Sequence, residues 1–410
     1  MPDKMTQTDP LPGSTPQTAS ASSPLEEMPL DIHRLIMLQL SSFNDLDALV
    51  HASPRAHLVY ARDRLSILRH MVERTLDGIL YDAHAAYLSG KAGIQTTRLK
   101  GTLWQFLDQY RFGQFPSLKL KDLIQLVRFH RFVIEPLTKH YEIWALDDRR
   151  YYPEHSYPLS RTEIQRVQRA LYRLEVYYNL CSPAGKGRSG ETYIEKSKDR
   201  MRLLALFAPW QIEQILCVHE FTMHVCDELF RELKWELQPL QDKEFGYMNV
   251  QNGEDISYLF IDAGQSSNLP LVSRALKISD PEEQAAVLRE CLLGLPSIDD
   301  GRDWIVDATF CHPRESSREI LREIFDFTNE NAGQDPLDPD EILLSRFHRA
   351  EQPPLAWVLY CGEAACDIDG EYRLWELGWF QFRGMVMWDA PRLEVSGMKA
   401  LLEAGRRYIP

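Results

Sequence analysis

The chain has 410 residues and a mass of 47.6 kDa, more than one hydrophobic core usually covers, so a small module followed by a larger domain is expected. Its 44% apolar residues, 26% charged residues and nine Trp supply a packed interior and exclude wholesale disorder. With 46 basic against 60 acidic residues the net charge is -14, which repels phosphate backbones and anionic lipid heads, so neither a nucleic-acid nor a membrane partner is expected.

Residues 1 to 27 are crowded with Pro, Ser and Thr, as in Pro10-Leu11-Pro12-Gly13-Ser14-Thr15-Pro16, and read as a disordered tail. The opening stretch from Met1 to Asp9 lacks the apolar core of a signal peptide, and no later run approaches eighteen consecutive apolar residues. The seven Cys, at positions 181, 217, 226, 291, 311, 361 and 366, are odd in number and scattered. Reduced thiols in an intracellular protein, cytoplasmic or nuclear, are therefore expected.

At Met28 the character changes. Pro29-Leu30-Asp31-Ile32-His33-Arg34-Leu35-Ile36-Met37-Leu38-Gln39-Leu40 places Pro where a first helical turn accepts it and an acid at the positive end of the helix dipole. A second helix is expected after Ser41 to Phe43, capped by Asn44 with Asp47 three residues on. Ser53-Pro54 stops it and starts a third, through Leu58 and Tyr60 toward Arg69. The polar members of the first helix scatter around its wheel, so it wants burial on more than one side. About forty residues cannot supply that alone, and part of the apolar surface must meet either the rest of the chain or a separate protein.

Beyond this module the chain reads as helices near 62–89, 117–140, 161–180, 194–237, 281–293, 315–329 and 396–407, with loops at 183–190 and 329–339. Alternating strand-like runs are scarce. The expected fold is all-α: a short three-helix module over 28–70, then a large irregular α-helical domain over 71–410.

The run Met28-Pro29-Leu30-Asp31-Ile32 with Ile36, Leu40, Asn44-Asp45-Leu46, Leu49 and Ser53-Pro54 resembles an F-box, as found in fungal F-box proteins of unassigned function. The resemblance covers roughly 28–70. It implies a three-helix module that docks on the Skp-type adaptor of a cullin-RING (SCF-type) ubiquitin ligase, while the remaining chain presents a target protein. Carried over position by position, it implies that Pro29, Leu30, Ile32, Ile36, Leu40, Leu46 and Leu49 supply adaptor-facing or module-core apolar contacts. Met28 stands where the family usually has Leu, and the aromatic expected late in the third helix is displaced or replaced near His57 and Tyr60. The alternative is a non-catalytic helical scaffold whose F-box-like helices pack on their own chain.

No motif argues for an enzyme, a cofactor or a metal. His219 and His224 stand five apart, about 140° around a helix, where a zinc-protease box needs four, and adding Cys217 and Cys226 does not converge four ligands on one ion. That helix is expected to bury Ile215, Val218, Thr222 and Val225. Gly185-Lys186-Gly187-Arg188-Ser189-Gly190 has the letters of a dinucleotide fingerprint but follows a helix rather than a strand. Cys361 and Cys366 are too widely spaced for a redox pair, and Cys311-His312 is isolated. The aromatic stretch with Trp357, Trp375, Trp379 and Trp388 reads as core; were it exposed, it would serve substrate capture with Arg373 and Arg383 as a polar rim. Ala208 to Gln214 and Gly384 to Asp389 also resemble stretches of such fungal proteins, with no chemistry attached to them.

Overall fold

A computed structural model describes residues 23–91, 100–146, 157–181, 203–204, 206–233, 268–293, 353–361 and 384–403. The described residues are helices and their connections, without a strand, so the fold is all-α. The chain divides into two compact units, the first ending at Met71 and the second beginning at Val72.

The first unit holds α1 (Pro24–Glu27), α2 (Leu30–Gln39), α3 (Phe43–Ala52) and most of α4 (Pro54–Thr75). Four residues expected in the tail thus form a helical turn. Pro29 is the N-cap of α2. The cap of α3 is Ser42 rather than Asn44: its hydroxyl accepts the Asp45 backbone N–H at 3.1 Å, which places Asn44 inside the first turn. Ser53 repeats the device for α4, accepting from Ala56 N at 3.1 Å. Met37, Phe43, Leu46, Val50, Ala56 and Val59 form the core of these helices, each at most 7% exposed. Inside α4 the backbone of Asp63 leaves helical geometry at φ -109° and ψ 18°.

In the second unit the long helix α9 (Arg161–Cys181) packs against α5 (Leu80–Ser89) and α10 (Pro209–Glu232). The helix expected over 62–89 is broken after Thr75 because Gly78 takes φ +79°, a left-handed turn open to glycine. The segment expected over 117–140 is α7 (Leu120–Phe129), a π-helical turn over His130–Ile134, and α8 (Glu135–Leu146). A π turn leaves its carbonyls poorly paired, and here the Phe132 carbonyl accepts from the Ser273 hydroxyl, at 2.6 Å, and from the Lys277 ammonium of α11 (Asn268–Lys277). The remaining elements are α6 (Lys100–Phe112), α12 (Pro281–Leu293), α13 (Leu355–Cys361), a 3₁₀ turn Met385–Met387, α14 (Ala390–Val395) and α15 (Met398–Glu403). The expectations for 183–190, 315–329 and 329–339 lie outside the described residues.

Two polar clusters order this unit. Asp82 of α5, 3% exposed, accepts from the Tyr110 hydroxyl and from Arg173 Nε at 3.0 Å, and the Arg173 guanidinium lies over the Phe207 ring at 5.0 Å. Glu163, 1% exposed near the start of α9, binds Arg392 of α14; Arg166 binds Asp389 at 2.6 Å, while Ser160 and Thr162 also donate to Asp389. The second cluster joins the chain near residue 390 to the start of α9.

Candidate docking face

The first unit carries the residues singled out by the sequence. An apolar period of 3.6 along α2 would give a single apolar side, but here apolar residues stand on more than one side. His33 and Met37, four apart, turn inward and are fully buried. His33 Nδ1 lies 3.2 Å from the Pro29 carbonyl oxygen, while its Nε2 has no hydrogen-bond partner. Ile32 and Leu35, three apart, stand on another side, exposed at 39% and 52%.

Pro29, Leu30 and Ile32 are exposed. Ile36, Leu40 and Leu49 are half-buried. Leu46 is enclosed at 4% exposure and belongs to the module's own core. Leu35 and Met28 extend the exposed apolar surface beyond the expected set, and Leu58 and Leu65 of α4 are also exposed. The spacing of Ile32 to Leu35, and of Leu58 to Leu65, is the sequence signal that marks them.

Arginines hold this surface in place. Arg55 of α4 donates to the Met28 carbonyl at 3.0 Å, and its backbone N–H meets Glu26 Oε2 at 3.3 Å, which fixes the approach to α2. Arg34 on α2 reaches α4 twice, to Ser66 Oγ at 3.3 Å and Asp63 Oδ2 at 3.5 Å. Asp63 also takes two hydrogen bonds from Arg62, and the Arg62 contact followed by the Arg34 charge draws its pKa below the ordinary carboxylate range. The irregular backbone at Asp63 therefore coincides with the ion pair that ties α2 to α4.

On α10, Ile215, Val218, Thr222 and Val225 are buried as expected, together with Cys217, Phe221 and Cys226. His219 and His224 are half-buried; burial lowers His219 to about 4, and His224 Nε2 lies 3.3 Å from Glu228 one turn on. Cys217 is a buried thiol pushed up to about 12 by desolvation, with the Tyr141 hydroxyl at 3.2 Å, so it is not a nucleophile at neutral pH. Among the described residues no group of three or more His, Cys, Asp or Glu is arranged to hold a metal ion. No described helix is long and apolar enough to cross a membrane.

Trp357 and Trp388 are buried at 5% and 8% exposure, in line with a structural role. Trp375, Trp379, Arg373, Arg383, Cys311, His312, Cys366 and the glycine-rich run 185–190 lie outside the described residues. Ala208 to Gln214 opens α10: Gln211 Oε1 accepts from Ala208 N at 3.0 Å, and Gln211, Glu213 and Gln214 are all fully buried. No protein-family model, curated protein or solved structure matches the chain.

Proposed function

We propose that the chain is the substrate-recognition subunit of a cullin-RING (SCF-type) ubiquitin ligase, working in the cytoplasm or nucleus. In this reading the first unit binds a Skp-type adaptor and the second holds a target protein for ubiquitin transfer by other subunits. The contribution is proximity: the target is held where a bound transferase reaches it, and no step of bond making falls to this chain. The single observation that carries the reading is the apolar exposure of Ile32 and Leu35 on the side of α2 away from buried His33 and Met37, with Met28 and Leu30 exposed at the start of that helix. Fully burying an exposed Leu or Ile contributes about 1.5–3 kcal/mol, and these positions, 37–52% exposed, keep roughly half of that or less for a partner to gain. The F-box resemblance of the same run names the class of partner.

The test is co-purification of the full chain with a Skp-type adaptor, wild type against Leu30→Asp with Ile32→Asp. Both residues are exposed, so the variant is expected to melt as the wild type does and to lose the adaptor. Capture retained by the variant, or no capture by the wild type, sinks the proposal. A drop in melting temperature without any adaptor bound would favour the self-packed scaffold.

A further inference from the structure

A second face of the first unit is patterned in a way the adaptor reading does not use. On α4, Arg55, Leu58 and Arg62 before the kink at Asp63, and Leu65 and Arg69 after it, follow one another at intervals of three and four residues, and the exposed side of the helix keeps that period across the kink. All five are exposed, Leu58 at 62% and Leu65 at 40%. The line passes the irregular turn at Asp63 without a break in exposure.

Charge within the line itself is of one sign, with Glu26 beside Arg55 and Asp31 near Arg62 as the acids next to it. From Pro54 to His70 the chain has four Arg and a single acid, Asp63, within a protein of net charge -14. Asp63 is half-buried and shared between Arg62 and Arg34, so the exposed ionised side chains of this stretch are all guanidinium groups.

We infer that this stripe docks an acidic amphipathic helix of a partner protein, one that carries apolar residues at the same three-and-four spacing. Leucines seven apart are the repeat by which one helix inserts side chains between those of another. Arg69, and those guanidinium N–H groups of Arg55 and Arg62 that do not already hold the Met28 carbonyl and Asp63, supply planar donors for Glu and Asp on the incoming helix. The seam covers about 21 Å at 1.5 Å per residue, enough for roughly two heptads of partner.

Other anions fit less well. A helix that lies on an anionic membrane needs a broad apolar face with cations along its margins, whereas here cations and leucines share one narrow line. A nucleic-acid backbone would meet the arginines and leave Leu58 and Leu65 in water.

The probe is a synthetic helical peptide of about three heptads, Leu at the seam and Glu beside it, with a twin in which Lys replaces Glu. Each is titrated into the full chain and followed by fluorescence anisotropy. The Glu peptide is expected to bind and the Lys peptide not. Arg62→Glu with Arg69→Glu should weaken the Glu peptide about tenfold or more and admit the Lys peptide. Leu58→Ala with Leu65→Ala, both exposed, should weaken the Glu peptide without lowering the melting temperature, and this pair carries the test should the charge reversal disturb folding. The idea is overturned if the Glu peptide does not bind, if both peptides bind alike, or if neither pair of substitutions matters. Vesicles of anionic phospholipid that capture the chain through the same arginines more tightly than the peptide would overturn it as well. Adaptor capture by the Leu58→Ala, Leu65→Ala chain is expected to persist, which separates this outcome from that of the adaptor proposal.

Discussion

Arg392 grips Glu163 with two hydrogen bonds of 2.8 Å, from Nε to Oε1 and from a terminal nitrogen to Oε2, although 229 residues separate them. The same guanidinium donates to the carbonyls of Tyr157 and Pro158, and Asp389 N donates to Glu163 Oε1. With Ser160 N donating to Oε2, a carboxylate that is 1% exposed is thereby held by a forked cation and two backbone amides.

Removing one partner should be costly, because the other charge then stays enclosed without compensation. Arg392→Ala is expected to destabilise the second unit by about 3–5 kcal/mol, read as a lowered midpoint in urea. Glu163→Ala combined with Arg392→Ala should cost less than the sum of the two single changes. Simple additivity in that cycle would show that the pair is not coupled.

Glu175 on α9 predicts a pH dependence. Burial raises its carboxyl to about 7, with a hydrogen bond to Asn179 offsetting only part of that shift. The folded pKa lies above the unfolded one, so its contribution is fully present below the unfolded value of about 4.3 and fades as pH rises through about 7. The loss is on the order of 3 kcal/mol. Glu175→Gln should flatten the stability profile across that window and leave the wild type less stable than the variant at pH 8. Equal slopes for the two proteins would refute it.

Two glycines near the second polar cluster should respond differently to the same change. Both have positive φ, +65° at Gly384 and +73° at Gly397. A Cβ on Gly384 would stand 2.5 Å from the Tyr141 hydroxyl, whereas one on Gly397 would meet nothing within 4 Å. Gly397→Ala is expected to cost about 1 kcal/mol from backbone strain alone. Gly384→Ala should cost about 2–4 kcal/mol, since overpacking is added to strain. Similar melting temperatures for the two variants would contradict the close approach.

The cap of α3 gives a smaller, sharper test. Ser42→Ala removes the acceptor for Asp45 N and should cost about 1 kcal/mol, while Asn44→Ala inside the helix should change stability by no more than a few tenths. The reverse ranking in thermal melts would restore Asn44 as the cap.

Helices with a clean apolar period are legible in the amino-acid pattern: the expected 161–180 is α9, Arg161–Cys181, and the expected 281–293 is α12. Breaks made by single glycines are not. Gly78 and Gly397 stand in otherwise helical patterns, and only their positive φ reveals them as stops. The helix α13 is apolar along all seven of its residues and too short to show a period, while in α6 and α11 Gly101, Pro270 and the polar residues between apolar ones interrupt the pattern. Within the candidate face, hydrophobic pattern places Leu30 and Ile32 but does not tell enclosed Leu46 from exposed Leu35, since both are leucines on helices of similar amphipathicity. The Glu163–Arg392 grip is out of its reach, because no local spacing encodes a contact across that much chain.

The first unit's last helix does not end where that unit does. α4 runs on to Thr75, and Ile67, Leu68 and Met71 are each at most 4% exposed. A truncation after residue 70 would therefore discard Met71 and leave the final turn frayed, with its carbonyls bare to water. An expression boundary placed just beyond Gly78, where the backbone has already reversed hand, keeps that turn whole and gives the fragment a natural stop.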